Sequence, residues 1–184
     1  MKLQKTSKQL TYPFLVSAIA LALALPGCGG GGGDDGDDFV GAALVSIQAS
    51  PKQIDTGDRM QISTEIESVH ENGILLKFKI PASLEYVIGS STLEIDSDPQ
   101  DATPAVNEQK DNTRYLVFFL DQDLFGDDGR GTLTFQLKGS DKLTEGRIEV
   151  DADVNDPLVN DNNEFSVSNP EFGAEDDVTV DVTG

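Results

Sequence analysis

The stretch RMQISTEIESVHENGILLKFKIP, residues 59–81, contains two runs in which apolar side chains and one threonine recur at every second position. These positions are Met60, Ile62, Thr64 and Ile66 in the first run, and Ile74, Leu76, Phe78 and Ile80 in the second. Successive side chains of a β-strand point to opposite faces, so this alternation predicts two strands that each turn one face toward a core. Asn72-Gly73 between the runs predicts a hairpin turn, and Lys77 and Lys79 are expected on the outward face.

The chain from residue 41 onward repeats this pattern in short runs that turn residues separate. The further predicted strands are ALVSIQAS, SLEYVIG, STLEID, GTLTFQLK, GRIEVDADV, EFSVS and DVTVDVT. The run RYLVFFLD is apolar on both faces, which predicts a central strand covered on both sides. Residues 96–112 are polar with two prolines and predict a long loop. About eight to ten short strands of this kind predict an all-β fold, a two-sheet antiparallel Ig-like β-sandwich over residues 41–184.

The first 27 residues have the features of a secretory signal peptide. Residues 1–12 carry three lysines and no acid, and residues 14–25, FLVSAIALALAL, are an uninterrupted run of apolar and small side chains. This run is shorter than the roughly 20 residues that a membrane-spanning helix needs. A basic start, a short apolar centre and small residues after it predict a cleaved signal peptide over residues 1–27.

The only cysteine of the chain, Cys28, follows this segment directly. The sequence LPGC, residues 25–28, resembles the lipobox of bacterial lipoproteins, and the resemblance implies cleavage before Cys28 and a diacylglyceryl group on its thiol. A stable membrane anchor needs more than one acyl chain. Lipoproteins of this class carry more than one chain. Residues 28–40 then form a Gly/Asp-rich flexible linker behind the anchor. Gly29 after the cysteine resembles the pattern of lipoproteins that are sent to the outer membrane, so we expect a lipid-anchored protein of the bacterial cell envelope.

The predicted sandwich also resembles a known family. The segment IPASLEYVIGS and the ending VNDPLVNDNN resemble motifs of the Ig-like repeat module known as DUF11. The residues that carry this resemblance are Ile80, Pro81, Leu84, Tyr86, Val87, Gly89, Ser90, Asp156, Pro157, Asn162 and Asn163. A weaker resemblance to cohesin-type sandwiches rests on Gly57, Asp58, Phe78 and Leu84. Both resemblances imply an Ig-like sandwich, and the DUF11 motifs are structural, with no catalytic residue to transfer.

Charge and composition narrow the function classes. The formal net charge of −20 repels phosphate groups, so no nucleic-acid partner is expected. His70, the only histidine, falls in the predicted turn beside Ser68 and Glu71, and we interpret it as a turn residue rather than part of a catalytic triad. One histidine and one lipidated cysteine cannot fill a tetrahedral zinc site. We therefore expect no enzyme activity, no catalytic residues and no resident cofactor.

Calcium is the one cation that the sequence leaves open. Glu149, Asp151 and Asp153 are expected on the outward face of one strand, as a solvated acidic face, with a polar turn after them. The candidate ligands are Asp153, Asp156, Asp161 and Glu164. We expect the domain to fold without metal and calcium to bind here weakly, if at all. The loop DQDLFGDDGRG is interpreted as a turn, because Phe125 and Thr132 replace ligand positions of a calcium loop.

Two functions follow from these observations. The first is a non-enzymatic binding, adhesion or structural module that meets the membrane through its lipid anchor and an unknown protein or glycan of the envelope. The alternative is a carbohydrate-binding or accessory hydrolase lipoprotein, which predicts exposed stacking aromatics. The aromatic candidates for such a surface are Tyr86, Tyr115, Phe118 and Phe172.

Overall fold

The structure is a computed structural model that describes residues 41–126, 128–155 and 165–184. Within these residues twelve strands form two sheets. The strands are β1 (Leu44–Ser50), β2 (Gln53–Asp55), β3 (Arg59–Glu67), β4 (Ile74–Pro81), β5 (Leu84–Tyr86), β6 (Thr92–Ile95), β7 (Asp98–Asp101), β8 (Val106–Lys110), β9 (Thr113–Leu120), β10 (Gly131–Gly139), β11 (Leu143–Val154) and β12 (Asp176–Thr183). A short 3₁₀ helix, Gln122–Leu124, follows β9. The part of the chain that the structure describes contains no helix long and apolar enough to cross a membrane.

The two sheets face each other as a sandwich. Sheet 1 has the order β1-β3-β10-β6-β7, with β5 also paired to β10, and sheet 2 has the order β2-β12-β11-β4-β9-β8. The all-β, two-sheet Ig-like sandwich is therefore confirmed. One pair departs from the predicted antiparallel arrangement, because β2 runs parallel to β12 at the edge of sheet 2.

The core lies between the inward faces of the two sheets. The residues predicted to point inward on β3 and β4 are all buried there, including Thr64. Phe135 of β10 is at the centre of an aromatic cluster, with its ring centroid 4.9 Å from that of Phe78 and 6.1 Å from that of Phe118. Each ring of this kind contributes about 1.5–3 kcal/mol through burial, so the cluster is a main source of stability.

The predicted hairpin between β3 and β4 is wrong. β3 pairs with β1 and β10 in sheet 1, whereas β4 pairs with β11 and β9 in sheet 2. The turn itself exists, since Gly73 has a φ of +78° and its N–H donates a hydrogen bond to the carbonyl of His70 at 2.8 Å. A Cβ at Gly73 would lie 2.5 Å from the carbonyl oxygen of Leu120, so glycine is required. The alternation predicts which face of a strand is buried, but it does not choose the neighbouring strand.

Two further predictions are corrected at the edges of the sheets. Residues 96–112 contain β7 and β8 instead of one long loop. Both strands lie at sheet edges and are mostly exposed, so they carry no apolar alternation that could have revealed them. In the predicted strand EFSVS, the described residues 165–168 are not a strand, because they lie outside both sheets.

Candidate functional site

The outer face of sheet 2 is crossed by residues 165–175, which we call the strap. The ring of Phe165 packs on that of Tyr115 of β9, with 5.4 Å between the centroids. The Nζ of Lys110 of β8 donates a hydrogen bond to the carbonyl of Ser168 at 2.8 Å. The strap then passes over β4 and β11 before the chain enters β12. This cover explains why β4 and β9 are buried on both faces, as predicted for β9 from its apolar run.

Beneath the strap lies a buried lysine. Lys77 points outward from β4 as predicted, but its side chain is only 2% exposed. Its Nζ lies 2.7 Å from the Oδ2 of Asp151, contacts the carboxylate of Asp153, and donates to the carbonyl of Glu171 of the strap at 3.0 Å. The ammonium group thus donates hydrogen bonds to Asp153 and to the Glu171 carbonyl, and it forms an ion pair with Asp151. The ring of Phe172 lies 5.8 Å from the same Nζ, within cation–π range.

Asp151 is the second buried charge of this cluster, and the prediction that it belongs to a solvated acidic face is wrong. Its side chain is 5% exposed, and it lies directly opposite Lys77 in the pairing of β11 with β4. The backbone N–H of Gly173 in the strap also donates to its Oδ2 at 2.7 Å. A charge can be buried here because it is paired and hydrogen-bonded at once.

Glu175 lies at the end of the strap, where the charges of Asp151, Asp153 and Lys77 act on its carboxyl group. Burial raises the pKa of its carboxyl group, and the negative charges of Asp151 and Asp153 raise it further, while Lys77 opposes them. The backbone N–H of Glu175 donates to the carbonyl of Val150 at 2.9 Å, which fixes the strap to β11. The cluster therefore combines a buried amine, a buried carboxylate and a carboxyl group whose pKa is raised.

The neighbouring ion pairs differ from the Lys77 cluster because their basic side chains are exposed to water. Lys79 lies opposite Glu149, with 2.8 Å between Nζ and Oε2, and the Lys79 side chain is 42% exposed. Arg147 bridges Glu149 and Asp177 and is largely exposed. The hydrogen bond to Asp177 and its charge raise the pKa of Arg147, whose guanidinium is always protonated in any case. Water solvates these groups, so they add little to stability.

Sequence reasoning missed this cluster because the cover comes from far along the chain. Lys77 and Glu171 are 94 positions apart. One signal was present: lysines alternate with apolar residues in β4, and acids alternate with apolar residues in β11. Opposite charges at the same period on two strands indicate that the strands are neighbours.

Most of the candidate ligand and anchor residues lie outside the described residues. These are Cys28, Asp156, Asp161 and Glu164. The remaining calcium candidate, Asp153, has its carboxylate in contact with the Lys77 ammonium group. Among the described residues, no group of three or more histidine, cysteine or acidic side chains is placed to hold a metal ion. Lipidation of Cys28 and a weak calcium site remain predictions.

The candidate catalytic and stacking residues have structural surroundings. The Nδ1 of His70 accepts a hydrogen bond from the backbone N–H of Asn72 at 3.2 Å, within the turn before β4. Tyr86 and Phe118 are buried in the core, and Tyr115 is buried under Phe165 of the strap. Phe172, the fourth aromatic candidate, is half-buried against Lys77 and Lys79. These four aromatic side chains do not form an exposed platform for a sugar ring.

Sheet 1 presents a different outer surface, which we call the open face. Its centre is a row of uncharged polar side chains that the strand register sets side by side: Gln48, Ser63, Thr134 and Thr92. The hydroxyl groups of Thr92 and Thr134 are hydrogen-bonded at 2.8 Å. The adjacent row contains Glu65, Thr132 and Glu94, both glutamates being exposed. The open face is therefore neutral at its centre and acidic along one side.

Comparison with known proteins assigns no family to this chain. No protein-family model matches this chain, and no curated protein is similar to it in sequence. Among solved structures, it resembles the T6 backbone pilin of serotype M6 Streptococcus pyogenes, with 12% identity and a TM-score of 0.45 over 76% of this chain and 36% of the pilin. It thus spans about a third of the pilin's length.

Two other solved structures are of different kinds. A non-cellulosomal cohesin from Archaeoglobus fulgidus has 16% identity and a TM-score of 0.41 over 76% of this chain and 91% of the cohesin. AvmM, which catalyses macrocyclization in alchivemycin A biosynthesis, has 9% identity and a TM-score of 0.44 over 78% of this chain and 89% of AvmM. At these scores the likenesses do not indicate what this chain binds or does. The class that its own sheets define is an all-β, two-sheet sandwich protein.

Proposed function

We propose that this protein is a non-enzymatic display module of the bacterial cell envelope, anchored to the outer membrane through lipidated Cys28, and that the open face of sheet 1 binds a protein partner. The observation that carries this proposal is the contrast between the two outer faces. The strap crosses the outer face of sheet 2, whereas the row on sheet 1 is exposed at Gln48 and partly exposed at Ser63, Thr134 and Thr92. Protein interfaces are depleted of charge at their centre and polar at their rim, which is the pattern of the open face.

The charge of the open face indicates the chemistry of the partner. Glu65 and Glu94 line one side of the neutral row, and the chain as a whole carries a formal charge of −20. A partner that places lysine or arginine side chains opposite these glutamates gains in association rate and in specificity. A protein of the envelope with a basic patch beside a neutral one fits this surface.

The alternative function, a carbohydrate-binding or accessory hydrolase lipoprotein, has less support. It requires aromatic rings exposed on a concave surface, and the four candidate rings lie in the core or against the strap. It also requires a catalytic pair, while His70 serves its own turn. Retention of the protein on envelope polysaccharide would nevertheless favour this alternative over a protein partner.

The anchor is tested by the substitution Cys28→Ala. We expect the wild-type chain to incorporate radiolabelled palmitate and to fractionate with the membrane, and the variant to do neither while keeping a folded sandwich. A serine in place of Cys28 is the matched control, since it is similar in size but does not form the thioether. Equal labelling of wild type and variant, or a mature N-terminus other than Cys28, would contradict the anchor.

The open face is tested with variants that carry a lysine on one outer face or the other. Thr134→Lys places a charge in the neutral row, and Thr179→Lys places the same charge on the exposed outer side of β12 in sheet 2. The full chain, solubilised in detergent, is used to capture partners from envelope extracts. We expect a defined protein to bind the wild type and Thr179→Lys and to be lost from Thr134→Lys. Equal capture by all three would rule out the open face as the binding surface.

A further inference from the structure

The Lys77–Asp151 pair holds an amine against a carboxyl group without any ligand or partner. The Nζ lies 2.7 Å from Oδ2, and the two side chains are 2% and 5% exposed. The residues are direct partners in the register of β4 and β11, which continues on both sides of them. Groups held in this way react as if at very high concentration, about 10⁵–10⁸ M in favourable intramolecular cases.

The surroundings favour reaction over a permanent ion pair. A buried site of low dielectric penalises both charges of the pair, and condensation into a neutral amide removes both. The backbone N–H of Gly173 points at the Oδ2 of Asp151 from 2.7 Å, where negative charge develops when a nucleophile adds to the carboxyl carbon. The ring of Phe172 and the rest of the strap keep bulk water from the amine.

We propose that Lys77 and Asp151 condense into an intramolecular amide bond that joins β4 to β11 beneath the strap. The Lys77 ammonium first passes a proton to the Asp151 carboxylate. The neutral amine then attacks the carboxyl carbon, a C–N bond forms, the C–OH bond breaks, and the hydroxyl leaves with one proton as water. One ammonium and one carboxylate thus become one secondary amide and one water molecule, and no oxidant, reductant or further reactant is needed.

We assign the role of proton donor to Glu175, whose backbone N–H is bonded to the carbonyl of Val150, the residue before Asp151. Its carboxyl group is close enough to feel the charges of Asp151, Asp153 and Lys77, and its pKa is raised, which suits a group that protonates the departing hydroxyl. The proton released by the nitrogen restores it. Asp153, whose side chain is 52% exposed, contacts the same Nζ and is placed to accept the N–H of the product amide.

Lys79 and Glu149 provide an internal control within the same molecule. They are the adjacent directly opposed pair of β4 and β11, and their N–O distance is 2.8 Å, close to that of the buried pair. Lys79 is 42% exposed, so water stabilises its ammonium form. We expect this pair to remain unlinked, because its charges are solvated and gain little from becoming a neutral amide.

The bond is tested by tryptic peptide mapping of the full chain purified from membranes. An unlinked chain yields peptide 60–77 and peptide 148–184 as separate species. The linked chain is not cleaved at Lys77 and yields one species that joins 60–79 to 148–184, with a mass lower by one water molecule. Recovery of free peptide 60–77, fragment ions that place the link on Asp153, or a link at Lys79 would each overturn the proposal.

Two variants test the assigned roles. Lys77→Arg keeps the positive charge but removes the primary amine, and Glu175→Gln keeps the shape of the acid but removes its proton. We expect both variants to be folded by circular dichroism and to give only separate, unlinked peptides. A link that forms unchanged in Glu175→Gln would overturn the role of Glu175 as the proton donor.

Discussion

The outer faces of the two sheets differ in how far their side chains are buried. On sheet 1 the buried residues of β3 alternate with exposed ones, Ser63 being partly exposed, and the outward side chains meet water. On sheet 2 every residue from Ile74 to Phe78 of β4 is buried, and the one lysine among them is paired with acids beneath the strap. Beneath the strap, the outward side chains of β4 and β11 are therefore apolar or paired, whereas those of β3 are polar and exposed or partly exposed.

The difference lies in what replaces water around a charge. An exposed charge on the open face keeps its hydration, so pairing it changes stability by about 0–1 kcal/mol. A charge under the strap has lost its hydration, and removal of its partner costs about 3–5 kcal/mol. Among the described residues, the sandwich thus has one outer face partly covered by its own chain and one whose outward side chains are exposed or partly exposed.

The strongest contrast is expected from one lysine placed on either face. Val117 is fully buried on the outer side of β9, directly opposite Lys77, so Val117→Lys buries a second ammonium group beside the first. We expect a loss of more than about 4 kcal/mol in the free energy of unfolding, measured in urea. Thr134→Lys on the open face is expected to change the same quantity by less than about 0.5 kcal/mol. Similar losses in the two variants would remove the distinction between the faces.

The next largest effect concerns the two lysines of β4. Lys77→Met leaves Asp151 buried without its cation, and we expect a loss of about 3–5 kcal/mol in the free energy of unfolding. Lys79→Met removes only the exposed pair with Glu149, for which we expect at most about 1 kcal/mol. Urea unfolding of the two variants in parallel measures this difference. An equal loss of unfolding free energy in Lys79→Met and Lys77→Met would show that burial under the strap does not determine the contribution of the ion pair.

A smaller effect is expected from the strap itself. Phe172→Ala removes the half-buried ring that lies over Lys77 and Lys79, and we expect a loss of about 1–2 kcal/mol in the free energy of unfolding. Leu44→Ala is the control on sheet 1, where the side chain is 52% exposed and the expected change is within about 0.5 kcal/mol. Equal losses of stability in these two variants, measured in thermal or urea melts, would show that the strap does not stabilise the domain.

The smallest effect is expected from calcium. Asp153 already contacts the Lys77 ammonium group, which competes with a cation for its oxygens. We expect the melting temperature of the full chain to be the same with a chelator as with added calcium. A large drop on chelation that is absent in Asp156→Ala would show that residues 153–164 form a structural calcium site.

The sequence predicted the structure of one outer face of the sandwich better than that of the other. Residues 59–81 predicted the buried positions of β3 and β4 correctly, because period-two alternation depends only on the strand and its own sheet. The sequence did not predict that β3 and β4 lie in different sheets, since both kinds of connection use the same turn residues. It also missed the Lys77–Asp151 pair, because the cover comes from Glu171 and its neighbours far along the chain. Contacts made by a segment that is distant in sequence are only weakly indicated by the local pattern of apolar and charged residues.

The central claim, that one outer face is closed and the other open, is tested most directly by amine footprinting of the folded full chain. Lys77 and Lys138 both point outward from strands, Lys77 under the strap on β4 and Lys138 exposed on β10 of the open sheet. A water-soluble acylating reagent followed by peptide mass analysis compares their reactivity. The account predicts that Lys138 is labelled rapidly and that Lys77 stays unlabelled for as long as the chain is folded. Labelling of Lys77 at the rate of Lys138 in the folded protein would contradict it.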